Sequence, residues 1–250
     1  MNLRGKFEPI IVVVRNIGLW VRRHLVLTAL MLLCLFVFLE YLSLPSKAEL
    51  RKIRKVNPRV TALMKQRQEE AEKRKKKFYL SQQWVPLSLI NDNLKRAVIV
   101  AEDGTFYQHE GIDWYEVKES IRKDIQKGRF ARGASTITQQ LVKNLFLSTS
   151  KDPIRKLKEV IIAMMLEDEL PKSRILELYL NIIELGDGLF GVEAASQKYF
   201  GKHASELTRE DAARLAAVIP SPLRHVPTGD TRYVRNRTNV ILARMSARGW

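Results

Sequence analysis

Residues 133–146 read GASTITQQLVKNLF, and this stretch reads as the entry and first turns of a helix. Thr136 followed by Gln139 forms a capping box, in which each side chain satisfies a backbone N–H that helix geometry leaves without an intrahelical partner. From that start, helical spacing puts Thr136, Gln140 and Lys143 on one face and Ile137, Leu141 and Leu145 on another. The polar stripe ends in a cation. Ahead of it, Gly133-Ala134-Ser135 offers free backbone N–H groups, the usual physical basis of a phosphate site. An ordinary capped amphipathic helix is the plainer reading, but Gln-Gln-x-x-Lys-Asn is a dense polar cluster for one.

Helical patterns continue on both sides. Upstream, LKRAVIVAEDGTFYQHEGID (residues 94–113) is an apolar run that delivers two adjacent carboxylates, Glu102 and Asp103, to a glycine-containing break. Carboxylates beside apolar packing tend to have raised pKa values and are candidate general bases, whereas the plain alternative is a solvated helix end. Downstream, Asp152-Pro153 reads as an N-cap with proline at the first helical position, opening DPIRKLKEVIIAMMLEDEL (residues 152–170). Within it, Glu159 has Ile162, Ala163 and Leu166 as C-terminal neighbours, with Arg155 and Lys156 one turn before. A buried carboxylate needs a partner or a chemical task, and an ion pair with Arg155 is the structural option. A third helix, SRILELYLN, starts after Pro171. From Phe78 onward there are no convincing alternating strand runs and no internal repeat, so the expected domain is mainly α.

Further out, Leu25–Leu44 reads LVLTALMLLCLFVFLEYLSL, 20 residues whose one charge, Glu40, lies near the end. As a helix this spans a hydrocarbon core of about 30 Å. Trp20, Arg22, Arg23 and Tyr41 are residue types that settle at membrane interfaces. Ser46-Lys47-Ala48 loosely fits a cleavage site, but the apolar run exceeds a typical signal-peptide core, so an uncleaved anchor is expected. Residues 1–24 are then the cytoplasmic N-terminal segment, 45–77 a basic helical stalk broken at Pro58, and 78–250 the catalytic domain. Basic residues flank the apolar helix on both sides, and the local charge bias does not favour placing the domain outside.

The 250 residues carry a net charge of +16, distributed unevenly. Residues 1–77 hold 18 Lys/Arg against 6 Asp/Glu, or +12, leaving 25 against 21, or +4, for residues 78–250. A nucleic-acid-binding fold would carry that charge on its folded domain, so a membrane surface is the expected partner and nucleic acid is not. Cys34 stands alone within the apolar segment, and the four histidines show no short ligand spacing, so no metal-binding residues are assigned.

Two carboxylates and the cations Lys143, Arg155 and Lys156, set at helix starts and first turns, suit displacement of a diphosphate by a sugar hydroxyl. The hydroxyl must lose a proton near neutral pH, and the departing diphosphate must have its growing charge stabilised.

In five ordered blocks over roughly residues 57–225, the chain resembles the glycosyltransferase family 51 domain, in its monofunctional peptidoglycan glycosyltransferase branch. The resemblance implies a lysozyme-like, mainly α fold behind one transmembrane helix. EDGTFYQHEG resembles the block carrying the family's general base, placing it at Glu102 with Asp103, Phe106, His109 and Gly111 around it. GASTITQQLVKN matches at Gly133, Ser135, Thr136, Gln139, Gln140, Lys143 and Asn144, which by resemblance line the donor's phosphate and sugar site. RKLKE supplies Arg155 and Lys156 for the diphosphate and a second essential carboxylate, Glu159. Lys172–Lys202 resembles the floor of the cleft, with Glu177, Tyr179, Asn181, Gly191 and Tyr199 matching. LTREDAARLAAVIPSP looks structural.

The implied reaction is inverting transfer of an undecaprenyl-diphosphate-linked glycan chain to the 4-hydroxyl of lipid II, releasing undecaprenyl diphosphate. Also implied are a divalent metal ion (Mg²⁺ or Mn²⁺) near the diphosphate, a single-pass location in the bacterial inner membrane with a periplasmic domain, a role in cell-wall biogenesis and cell shape, and other cell-wall or division proteins as partners. The Ser148–Lys151 SxxK is read as loop, since no KTG follows. A lytic glycan-cleaving enzyme would not need the cations, and a non-catalytic cell-wall scaffold would not need Glu102.

Overall fold

A computed structural model describes residues 16, 20, 22–127, 135–150 and 152–250. The chain divides into two compact units, one ending at Leu44 and one running from Pro45 to Trp250. Gly133, Ala134, Lys151 and most of the N-terminal segment lie outside the described residues.

In the first unit, α1 (Leu25–Leu42) has 18 residues and none of them is buried. It is long and apolar enough to cross a membrane. A helix apolar on every side and about 27 Å long suits a lipid environment.

The second unit is built mainly of helices. It opens with α2 (Lys47–Lys55), whose capping box joins Ser46 to Glu49, so the tripeptide Ser46-Lys47-Ala48 begins a helix. Thr61 caps α3 (Ala62–Lys73), and the break between α2 and α3 contains Pro58. These two helices, expected as a basic helical stalk, are helical and also pack on the rest of the unit. Leu50, Leu63 and Met64 are buried, and Arg67 makes a bidentate pair with Glu184 at 2.6 and 2.7 Å. Arg174 donates to the Ile53 carbonyl at 2.9 Å, and Arg51 pairs with Glu169 at 2.8 Å. The compact unit therefore begins near residue 45, not at 78. The sparse apolar positions of α2 and α3 face the domain while their many charges remain outside, which makes the segment look solvated when composition alone is read.

Then follow β1 (Ser81–Gln82), a 3₁₀ turn at Leu87–Leu89, α4 (Asp92–Glu102), α5 (Trp114–Lys127), α6 (Ile137–Phe146), α7 (Pro153–Glu169) and α8 (Lys172–Ile182). The chain continues through β2 (Glu184–Gly186), β3 (Leu189–Phe190), α9 (Val192–Phe200), α10 (Arg209–Val218) and α11 (Arg232–Ala247). The three strands form a sheet ordered β1-β3-β2, β3 running parallel to β1 and antiparallel to β2. Strands of two or three residues are too short to show alternation, so the sequence does not display them. Gly188 closes the β2–β3 turn at φ +67°, and a Cβ there would lie 2.2 Å from the Tyr79 carbonyl oxygen.

The core is centred on α8, where Ile175, Leu176, Leu178, Tyr179, Leu180 and Ile182 are inaccessible to solvent. Its neighbour α6 buries Ile137, Leu141 and Val142, and α7 packs on α6 through Ile162, Ala163 and Leu166. On the other side, α10 packs against both α4 and α11. The ends of α4, α6 and α7 and one flank of α11 thereby frame the site.

Candidate active site

Helix α4 ends at Glu102, and Asp103 is its C-cap residue, so the adjacent carboxylates leave the helix in different directions. Glu102 has a side chain only 9% exposed. Its Oε2 accepts from Gln140 Nε2 at 2.9 Å, and Oε1 lies 3.5 Å from the Arg237 guanidinium. Tyr179, buried beneath, donates its hydroxyl to Gln140 Oε1 at 2.9 Å, which fixes the amide so that its NH₂ faces Glu102. Burial pushes the Glu102 carboxyl above its ordinary value, and the Gln140 hydrogen bond and the charges of Arg237 and Lys143 pull it back only in part.

Asp103 has protein partners on all sides. Oδ2 accepts the backbone N–H of Ile137 at 2.9 Å, and His109 Nε2 lies 3.0 Å from Oδ1. A carboxylate at the start of α6 satisfies an orphan donor and complements the helix dipole. Thr136 donates to the Gly111 carbonyl at 2.6 Å, while Thr136 and Gln139 close the capping box expected from sequence. Phe106 is fully buried under the Lys172 ammonium, which sits 4.5 Å from its ring centroid.

Glu159, 3% exposed, is a junction of cations. Its Oε2 accepts from Arg155 at 2.6 Å, and Oε1 accepts from Lys156. Lys156 also donates to Ser135 Oγ at 3.0 Å, linking α7 to the entry of α6. The ion pair with Arg155 is present, and Lys156 joins it. Lys143 lies within electrostatic reach of both Glu159 and Glu102; burial lowers its pKa, assisted by Arg155 and Lys156. Both carboxylates thus act on one half-buried lysine.

Two hollows meet this line of groups. A cavity of about 480 Å³ is lined by Glu102, Ser135, Thr136, Arg244 and Arg248, and a smaller one of about 180 Å³ by Gln140, Lys143 and Asn144. Gln140 lines the second while bonding Glu102, which lines the first. Glu177 and Asn181 lie elsewhere, on the far side of α8. Glu177 accepts from the Leu87 N–H at 3.0 Å and from Arg174, and Asn181 accepts from the Val85 N–H at 2.8 Å and donates back to the Val85 carbonyl. They fasten the segment after β1 to α8.

Arg237, Arg244 and Arg248 escaped the sequence reading. The signal was available: Arg237 and Arg244 stand seven apart on one flank of α11 and Arg248 four further on at its C-cap, beside the buried stripe Val234, Thr238, Ile241 and Met245.

Residues 68–246 match the transglycosylase family. A biosynthetic peptidoglycan transglycosylase of Nitrosospira multiformis is 46% identical over 191 residues, covering 76% of this chain and 83% of that protein. One of Dechloromonas aromatica is 46% identical over 192 residues, 77% and 83% of the two chains, and one of Thiobacillus denitrificans is 47% identical over 166 residues, 66% and 72%. A buried carboxylate beside a cluster of cations, on a mainly helical unit behind an apolar helix, agrees with these matches, and the chain belongs to the transglycosylase family, the glycosyltransferases of peptidoglycan synthesis.

Proposed function

We propose that this transglycosylase polymerises glycan strands by inverting transfer, with lipid II as acceptor and an undecaprenyl-diphosphate-linked chain as donor. The observation that carries this reading is the half-buried lysine Lys143, within electrostatic reach of both Glu102 and the cation-bound Glu159. Glu102 takes the proton of the acceptor 4-hydroxyl as its oxygen attacks the donor's anomeric carbon. The bond from that carbon to the diphosphate oxygen breaks, and its electron pair leaves with undecaprenyl diphosphate. Lys143, Arg155 and Lys156 face that growing charge. Glu159 holds Arg155 and Lys156 in place, acting through the cations, and burial of Lys143 makes it a group whose charge an incoming diphosphate would favour. Ser135, Gln140, Asn144 and Tyr179 shape the site, whereas Asp103, Phe106, His109, Thr136, Gln139, Glu177 and Asn181 position its elements.

A divalent ion near the diphosphate would be held mainly by the substrate's own phosphate oxygens and by water, with at most one or two carboxylates from the chain. Among the described residues no group of three or more His, Cys, Asp or Glu side chains converges, and Glu159 has both oxygens engaged by cations. Lys143, Arg155 and Lys156 would supply positive charge beside such an ion in the transfer step.

The apolar α1 supports a single-pass inner-membrane anchor, and membership of the peptidoglycan transglycosylases supports placing the domain in the periplasm. Exposed Leu157, Ile161 and Met164 along α7 support contact of the cation-bearing helix with lipid. Chain extension by the purified full chain in detergent, on a lipid-linked disaccharide pentapeptide, tests the reaction. Glu102→Gln and Glu159→Gln are each expected to abolish it, and undiminished extension by Glu102→Gln would end the general-base assignment. A reporter fused after Trp250 tests topology and is expected to be active only in the periplasm.

A further inference from the structure

Glu102 is gripped from two sides, and only one of them was legible as part of a motif. Gln140 reaches Oε2 from α6 at 2.9 Å, and Arg237 lies 3.5 Å from Oε1 across from it, on α11. We propose that Arg237 is a positioning residue of the transfer reaction, holding the Glu102 carboxylate in one orientation with a cation beside it. This rests on Glu102 being the general base.

Arg237 is itself held in place. Its Nε donates to the Ala217 carbonyl at 3.1 Å, near the end of α10, and α10 packs on both α4 and α11. The guanidinium therefore reaches Glu102 from a fixed point of the backbone. Its side chain is 34% exposed, so solvent screens part of the attraction, yet the partner oxygen belongs to a side chain that is 9% exposed. A base in such a place faces two opposing demands. Burial favours the neutral acid, which cannot accept a proton, while a tight ion pair would leave a carboxylate too weak to take one. A cation at 3.5 Å with one amide hydrogen bond gives an intermediate hold.

The other charged and titratable groups around Glu102 come from several elements. They are Asp103 from the end of α4, Lys143 from α6, Tyr179 from α8, and Arg244, Arg248, Asp113 and Glu116 along the larger cavity. Asp103 is fully engaged by Ile137 and His109, and Arg244 and Arg248 donate to the Val100 and Gly104 carbonyls at 3.2 and 2.8 Å. Arg237 is the cation with an ion-pair contact to Glu102 in the described residues.

The test is the pH profile of kcat/KM for the full chain in detergent, with a lipid-linked disaccharide pentapeptide as substrate. Removing a nearby cation favours the protonated acid, so Arg237→Gln is expected to move the acid limb upward by roughly one pH unit. Activity at a fixed pH below the limb then falls about tenfold, and much of it returns on the alkaline side. Arg237→Lys is expected to bring the limb back towards the wild-type position. An acid limb unmoved in Arg237→Gln, whether activity falls uniformly, only KM rises or nothing changes, would overturn the assignment. Thermal unfolding gives a readout independent of turnover: at a pH above the limb, Arg237→Gln should lower Tm less in a Glu102→Gln background than in the wild type, and additive changes would also count against it. Should Arg237→Gln not fold, Arg237→Met, which also removes the charge but keeps an apolar stem, enters the same cycle. Activity retained by Glu102→Gln would sink the general-base reading itself, whereas an inactive Glu102→Gln with an unmoved limb in Arg237→Gln removes the Arg237 role alone.

Discussion

The backbone N–H of Ile137 donates to Asp103 Oδ2 at 2.9 Å, so the second carboxylate of the Glu102-Asp103 pair closes the N-terminus of α6 at the cavity wall while the first turns to Gln140 and Arg237. Adjacent residues of the same chemical type are separated into two tasks by the end of one helix. Beyond a helix the chain turns, and the two side chains no longer share a face.

Asp103→Ala is therefore expected to act on stability first. It leaves the Ile137 N–H and His109 without their acceptor in a buried place, at a cost of about 2 kcal/mol. Denaturant unfolding of the full chain in detergent measures this. An Asp103→Ala chain with wild-type stability and no activity would place Asp103 among the groups that touch substrate.

Tyr179→Phe tests the orientation of Gln140. Without the hydroxyl donor at 2.9 Å the amide is free to turn its oxygen towards Glu102, where it would repel the carboxylate. The expected loss is about tenfold in kcat, equivalent to about 1.4 kcal/mol of barrier. Substrate affinity should change little. A Tyr179→Phe enzyme altered only in KM would argue that Tyr179 meets the substrate instead.

What could be read from residues alone follows the range of the interaction. The capping box of Thr136 and Gln139, the proline start of α7 and the Arg155–Glu159 pair lie within a few residues of each other, and the structure has them as the sequence implies. The Arg67–Glu184 and Arg237–Glu102 pairs join residues more than a hundred positions apart, and no local spacing announces them. The role of α2 and α3 was obscured in the same way, since one or two buried residues per helix, Leu50 or Leu63 and Met64, make too weak a stripe to separate a packed helix from a solvated one. Asp187-Gly188 was a visible hairpin turn signal, but the strands beside it are two and three residues long.

Lys143 gives a pH prediction on the alkaline side. Burial lowers its pKa, so as pH rises it loses its proton earlier than an ordinary lysine would, and the site loses the cation proposed to face the diphosphate. Lys143→Arg keeps the charge at any accessible pH and is expected to move the alkaline limb of chain extension upward. Lys143→Ala removes it throughout and should reduce donor use about a hundredfold at every pH. An alkaline limb identical in wild type and Lys143→Arg would assign that limb to another group.

The attachment of α2 and α3 to the catalytic unit can be tested without any substrate. Met64 is 1% exposed and packs with Leu63 against Phe190, the β3 residue paired in register with Gln82 and Glu184. Removing its side chain leaves a cavity under the sheet, so Met64→Ala should cost about 2–5 kcal/mol. Arg67→Met deprives the buried Glu184 of its bidentate partner and should cost about 3 kcal/mol, because an uncompensated carboxylate is left behind. A chain begun at Phe78 would lose both contacts together with the Arg51 and Ile53 links to Glu169 and Arg174, and it is expected not to fold cooperatively. Thermal unfolding of the three proteins measures this, and a chain begun at Phe78 that melts like the full-length protein would restore residues 45–77 as a stalk outside the catalytic domain.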